Sequence, residues 1–498
     1  MLRTNAWNTY NKTQLKAVEK FADDYKNFLD NAKTEREAID TIVNEIEAAG
    51  YRELNTLIGG KTKLKKGDKV YSVWMNKSIV MFQIGSEPLE KGLNILGAHI
   101  DSPRVDVKQN PLCEKEGLAY LDTHYYGGIK KYQFVAMPLA LHGVVVKKDG
   151  TTVQLNVGED EDDPVFFFSD LLIHLAAEQM DKKAAKVIEG EALDLIVGSR
   201  PLIVPGKAKK EEKDDPKLTE GENYAVKYVK QETTASIDAS NAVKRGVMAI
   251  LYDLYGIEEE DFISAELEIV PAGKARDAGF DRSMILGYGH DDRVCAFPSM
   301  RAILDTKDVK RTACCILVDK EEIGSVGATG MRSKFFENAV AELMNLTKEG
   351  FSDLALRRCL ANSCMLSSDV NAGFDPSYAS CFEKKNASFL GEGLVFSKFT
   401  GSRGKSGSND ANAEFIAEIR KAYDEDGIIY QTAELGKVDV GGGGTIAYIL
   451  ALYGMNVIDA GVAVLNMHAP WEAISKADLF EAYRGYITFL QKIDFRNE

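Results

Sequence analysis

The sequence predicts an α/β protein: a mixed sheet with flanking helices, plus an inserted β-rich domain. Three observations carry that expectation. From about residue 264 onward, apolar strand-like runs alternate with helical patterns. Two further extended stretches, 72–85 and 93–101, stand well before this alternation. Between them lies a stretch dominated by hairpin signals. At 498 residues the chain exceeds the size at which a single core usually stops growing, so two or more domains are expected. The expected division makes residues 1–106 and 257–498 one discontinuous α/β domain and residues 107–256 the insertion.

Taken in order, Ile39, Ile42, Val43 and Ile46 recur at helical spacing between a Thr34-x-x-Glu37 capping box and Gly50, which predicts an amphipathic helix. Residues 72–85 and 93–101 read as extended, and 139–158 as a hairpin turning at Lys148-Asp149-Gly150. Residues 206–232 are dense in mixed charge with almost nothing apolar, the pattern of a solvated loop. Strands are predicted over 313–318, 363–368, 394–399, 428–432 and 457–465, and helices over 410–426 and 475–493. Such layering implies a largely parallel sheet.

Composition narrows the function. Hydrophobic and charged fractions of 45% and 28% are those of an ordinary soluble protein. A formal charge of -15 repels phosphate backbones and anionic bilayers at long range, so neither nucleic acid nor membrane is an expected partner. The seven cysteines are an odd number without Cys-x-x-Cys spacing, and the N-terminal residues lack an apolar signal core. A cytoplasmic location follows as the expectation.

The most informative motif is Asp319-Lys320-Glu321-Glu322-Ile323-Gly324-Ser325, directly after the apolar run 312–318. Neighbouring side chains on an extended segment point to opposite sides, so one carboxylate can reach a metal and the other the water beside it. An isolated Glu-Glu pair is more often a charged loop, and only partners elsewhere overturn that. Four more polar clusters follow apolar strands, where α/β sheets build their sites. They are His99-Ile100-Asp101-Ser102-Pro103, Gly289-His290-Asp291-Asp292-Arg293, Ser367-Ser368-Asp369 and Met467-His468-Ala469-Pro470. In the first, the Asp101 carboxylate is placed to orient the His99 imidazole. Singly, these are turns, caps or hydrogen-bonded histidines. Together they supply the nitrogen and oxygen ligands of a zinc-type hydrolase.

Charge counting supports a dinuclear site. Two divalent cations bring +4; Asp291, Glu322, Asp369 and one bridging hydroxide bring -4; neutral His99 and His468 complete the shell. Such ions, about 3.5 to 4 Å apart, provide a nucleophile near neutral pH and stabilise the developing oxyanion. Glu321 is then the spare carboxylate, available as general base.

In order and spacing across nearly the whole chain, these clusters resemble the M18 metallopeptidases, the aspartyl aminopeptidase and aminopeptidase I family, as does the turn Gly441-Gly442-Gly443-Gly444-Thr445-Ile446. The resemblance implies that Asp291 bridges two divalent ions, most commonly Zn2+ with Co2+ or Mn2+ accepted. His99 and Asp369 would hold one ion, Glu322 and His468 the other, and Glu321 would be the base, with a cis peptide often following the bridging aspartate. It implies peptide substrates cut at the N-terminus, and a dimerisation role for residues 107–256 in dimers that assemble into a tetrahedral dodecamer.

Two further positions come from the resemblance. His174, in Leu171-Leu172-Ile173-His174-Leu175, resembles a catalytic histidine lent by a neighbouring subunit; the alternative is a core histidine on an apolar helix. Lys398 resembles a lysine that meets an acidic substrate side chain; the alternative is an exposed strand lysine. Where aspartyl members carry a histidine before proline, this chain has Asp375-Pro376, and a carboxylate there repels an acidic side chain. Preference for N-terminal Asp or Glu therefore stays open. So do a carboxypeptidase or deacylase activity on the same metal scaffold, and a non-catalytic assembly protein with this fold.

Overall fold

Thr312–Val318 is buried at every position, and so is its neighbour Leu93–His99. Strands covered on both faces read as mostly apolar runs, which is why both were visible in the sequence. In the computed structural model, which describes residues 4–60, 63–202 and 241–496, these strands lie at the centre of a nine-stranded sheet. Its order is Arg52–Glu53, Lys69–Trp74, Ser78–Gln83, Thr312–Val318, Leu93–His99, Cys364–Ser367, Asn456–Gly461, Leu394–Ser397 and Tyr430–Thr432. The expected charged loop over 206–232 lies outside the described residues.

Alternate side chains of the central strand enter different cores. Cys315 and Leu317 join one with residues of Lys12–Asn31, Glu35–Ala48, His290–Asp305 and Lys476–Lys492, while Cys314, Ile316 and Val318 join another with Phe335–Asn345 and Asp353–Ala361. Each fully buried Ile or Leu contributes about 1.5–3 kcal/mol. The predicted helix after Thr34 is Glu35–Ala48, with both capping-box bonds formed. The preceding helix, Lys12–Asn31, was not anticipated from the sequence.

The sheet is mixed, as expected: its four central strands run parallel, and antiparallel pairs join Ser78–Gln83 to both its neighbours and Leu394–Ser397 to Asn456–Gly461. Two expectations need correction. Residues 72–85 are two strands of a hairpin, because Met75 and Asn76 both adopt positive φ (51° and 54°) and turn the chain without a glycine to announce it. The run 457–465 is split between two sheets, Asn456–Gly461 in the large one and Ala463–Leu465 in a smaller one. Gly461 marks the break: a Cβ there would lie 1.8 Å from the Asp369 carbonyl oxygen, so only glycine allows that approach.

That smaller sheet has the order Arg276–Ala278, Met284–Gly287, Glu472–Ser475, Ala463–Leu465 and Asn371–Ala372. Both sheets belong to a unit comprising Met1–Pro103 and Gly273–Glu498. A second unit, Arg104–Ala272, holds a six-stranded antiparallel sheet in the order Thr152–Val157, Leu139–Val146, Ala265–Pro271, Arg104–Lys115, Leu118–Tyr126 and Leu195–Gly198. Its limits differ by a few residues at one end and more at the other from the division at 107 and 256, because Ala265–Pro271 pairs within it. Among the described residues, no helix is long and apolar enough to cross a membrane.

Candidate metal centre

The register of the large sheet collects the first donors. Val318 lies opposite His99, and Ser367 opposite Gly97, so the chains leaving these parallel strands emerge at one edge. The Ile100 amide donates to the Val318 carbonyl and the Ser368 amide to the Gly97 carbonyl, extending the alignment past the strand ends. Lys320 then adopts a positive φ (70°) and turns the chain into the short helix Glu321–Ile323. There the Asp101 carboxylate accepts the backbone amides of both Glu321 and Glu322, each at 3.1 Å. Asp101 also faces His99: Nδ1 lies 2.9 Å from its carbonyl oxygen and 3.3 Å from a carboxylate oxygen. One aspartate thus orients the imidazole and tethers the glutamate pair.

The small sheet delivers the rest. Asp291 follows Met284–Gly287 across Gly289, whose φ is 77° and where a Cβ would strike the Arg293 guanidinium. Asp291 and Asp292 are joined by a cis peptide. The Asp291 carbonyl accepts from the Ser102 hydroxyl at 2.6 Å, and that hydroxyl accepts from Arg293 at 2.7 Å. His468 lies between Ala463–Leu465 and Glu472–Ser475 at φ 66°. Asp369 sits between the two sheets, after Cys364–Ser367 and before Asn371–Ala372.

These side chains converge. Asp291 Oδ1 is 3.1 Å from His99 Nε2, and its Oδ2 is 3.2 Å from His468 Nε2. Asp369 lies 3.9 Å from His99 Nε2, and Glu322 3.5 Å from His468 Nε2. Donor atoms of His99, Asp291 and Glu322 fall within 4.8 Å of one another, as do those of His99, Asp292 and Asp369. The cluster crowds negative charge out of water. Burial, then the neighbouring Asp291, drives the Glu322 carboxyl well above its ordinary range, and burial with Asp292 and Glu321 does the same to Asp369. Burial raises Glu321 to about 7, against the pull of His99. Burial also opposes the charge of Asp291, but hydrogen bonds to His468 and His99 hold its carboxyl below the usual range.

A model of the family described as aminopeptidase I zinc metalloprotease (M18) matches residues 28–490. A Clostridium acetobutylicum protein named a probable M18 family aminopeptidase 1 is 57% identical over 486 residues, covering 98% of this chain and 97% of its own length. The chain belongs to the M18 metallopeptidase family. It is accordingly an aminopeptidase and a metalloprotease. The crystal structure of a Thermotoga maritima M18 aminopeptidase superposes with a TM-score of 0.87 at 41% identity, over 99% of this chain and 100% of that one. A dodecamer of mApe1 from S. cerevisiae shares the fold at a TM-score of 0.70 and 19% identity, over 94% and 95% of the two chains.

The donor set fits the metal that an M18 enzyme requires. Glu322 Oε1 is buried and accepts no hydrogen bond among the described residues, and a cation satisfies an oxygen that backbone and side chains leave unmet. Two predicted residues are not among these donors. Lys398 is exposed, just past Leu394–Ser397, and its carbonyl accepts the Ala411 amide. His174 belongs to the second unit, in the turn Ile173–Leu175; it is not a core histidine, because it and both its neighbours in that turn are exposed. Asp375 is half-buried and caps the helix Pro376–Cys381, accepting the Ser377 amide at 2.8 Å. Sequence reasoning missed Glu472, four residues beyond His468, which accepts backbone amides of two members of the cluster. Its only signal was a carboxylate opening an apolar stretch.

Proposed function

We propose that this M18 enzyme is a dinuclear aminopeptidase in which Asp291 bridges two divalent cations. His99 and Asp369 would hold one ion, Glu322 and His468 the other. The observation that carries this reading is the Asp291 carboxylate itself, one oxygen toward His99 and the other toward His468. Bound there, the ions supply Lewis acidity and lower the pKa of the attacking water. Glu321 is the carboxylate outside the ligand set; it accepts the water proton and returns it to the leaving amine, a role contributing about 10² to 10⁴ in rate. Asp101 fixes the backbone of both glutamates, which keeps base and ligand from exchanging places. Zinc is the favoured metal, and cobalt or manganese suits the same donors.

The second unit is proposed as the dimerisation domain of a tetrahedral dodecamer, with His174 serving the site of a neighbouring copy. In support, Leu172, Ile173 and Leu175 around it are 55%, 69% and 68% exposed, an apolar run that water does not favour. Lys398 is proposed to face the substrate side chain and to offset the repulsion that the Asp375 carboxylate would exert on an acidic residue. A cytosolic setting fits seven free cysteines.

The deciding experiment measures bound metal and turnover on paired peptides with free and acetylated N-termini. The proposal requires about two ions per chain and cleavage of the free-amine peptide. Equal cleavage of the acetylated peptide would point to a carboxypeptidase or deacylase instead. Sedimentation mass tests the assembly.

A further inference from the structure

Glu472 is not one of the proposed metal donors, yet its carboxylate is bonded to the backbone amides of two of them. It opens the central strand of the small sheet, opposite Gly287 of one neighbour, while Ala473 lies opposite Leu465 of the other. The chain beyond Gly287 leads to Asp291, and the chain beyond Leu465 leads to His468. Oε2 of Glu472 accepts the Asp291 amide at 3.0 Å, and Oε1 accepts the His468 amide at 2.7 Å. The residue is 1% exposed, so water does not compete for these bonds.

Both segments need such a fastening. Asp291 and Asp292 depart from helical backbone at the start of His290–Asp305, and both Asn466 and His468 are left-handed. Neither donor is set by a strand ladder in the way His99 is. A single carboxylate with one oxygen on each segment fixes the spacing between them, and an amide or a hydroxyl at this position cannot accept from both with equal strength.

We propose that Glu472 is a positioning residue that sets the distance between the Asp291 carboxylate and the His468 imidazole, and so builds the position of the ion shared by Asp291, Glu322 and His468. This rests on the dinuclear reading above. Residues that orient metal ligands typically affect metal affinity by about 10- to 100-fold, and the effect here should fall on one ion only.

The test is a Co2+ titration of the metal-stripped full chain, followed by the visible absorption of the bound cobalt. Wild type, Glu472→Gln and Asp478→Asn are compared. Asp478 is a matched control in the same unit: a buried carboxylate accepting two backbone amides, those of Gly391 and Gly393, but away from the cluster. Glu472→Gln should bind the first Co2+ as wild type does and the second about 10-fold or more weakly, with a changed absorption envelope. Asp478→Asn should keep both affinities and the spectrum even if its melting temperature falls. Unchanged affinities and spectrum in Glu472→Gln would overturn the inference, and so would equal loss of the second ion in Asp478→Asn. If Glu472→Gln does not fold, Glu472→Asp, which keeps the charge but shortens its reach, is read in the same way. A wild type that takes up only one Co2+ would instead count against the dinuclear reading.

Discussion

The nine-stranded sheet delivers His99 and the Glu321-Glu322 pair by register, from the ends of neighbouring parallel strands that are buried throughout. The five-stranded sheet delivers Asp291 and His468 from irregular loops, held by side-chain bonds to their backbones. Strand register is enforced by a whole ladder and an apolar core, so no single polar contact decides it. Loop placement hangs on one or two carboxylates. The two halves of the site should therefore differ in what disables them: loss of a ligand in either half, but loss of a hydrogen bond more in the second, because in the first the Asp101 bonds add to a placement the strands already make.

Ligand removal gives the largest effect and tests whether the halves serve separate ions. His99→Ala and His468→Ala should each retain about one metal per chain and lose nearly all turnover, as measured by elemental analysis and peptide cleavage. If His468→Ala keeps both ions, the small sheet contributes less than its geometry indicates. Next comes Glu321→Gln, which should keep both ions while kcat falls by about 10² to 10⁴. Glu322→Ala should lose an ion, so the same metal content in both variants would undo the division of labour within the pair. His174→Ala should lower turnover with metal content intact, and full activity would remove it from catalysis.

Legibility in the sequence follows the same division. The runs ending at His99, Val318 and Ser367 were visible because strands buried on both faces carry little but apolar residues. The motifs after them could be ordered against a family pattern, and the structure brings His99, Asp291, Glu322, Asp369 and His468 within a few ångströms of one another. The small sheet was not legible. Its strands run from two to four residues, below the length at which periodicity speaks, and one of them hid inside the run 457–465. Glu472 escaped for a related reason: its partners are backbone amides 4 and 181 positions away, and backbone partners leave no trace in residue type. The Met75-Asn76 turn escaped because neither residue is glycine.

Core truncation sharpens the contrast at intermediate size. Ile316 and Ile474 are both almost wholly buried, the first in the large sheet and the second in the small one. Each change to Ala should cost about 2–5 kcal/mol of stability by urea denaturation. Only Ile474→Ala should also weaken metal binding, since its strand begins at Glu472. Weaker metal binding in Ile316→Ala as well would mean that the two sheets respond as one.

The smallest effect concerns a buried carboxylate of the large sheet, Asp459. One of its oxygens accepts from the hydroxyls of Thr445 at 2.6 Å and Ser367 at 3.2 Å, and the other has no partner. Burial raises its carboxyl from the ordinary 3.8 to about 7, with the two hydroxyls offsetting part of that rise. A carboxyl that holds its proton more tightly folded than unfolded favours the folded state most below about 3.8, and this contribution is lost as pH rises through about 7. Asp459→Asn removes the titration. Urea midpoints of the metal-stripped proteins at pH 5 and pH 8 should show wild type losing more stability than the variant between these two values. A constant gap between them would mean that Asp459 does not titrate in this range, and that the large sheet holds its ligands without a protonation it must maintain.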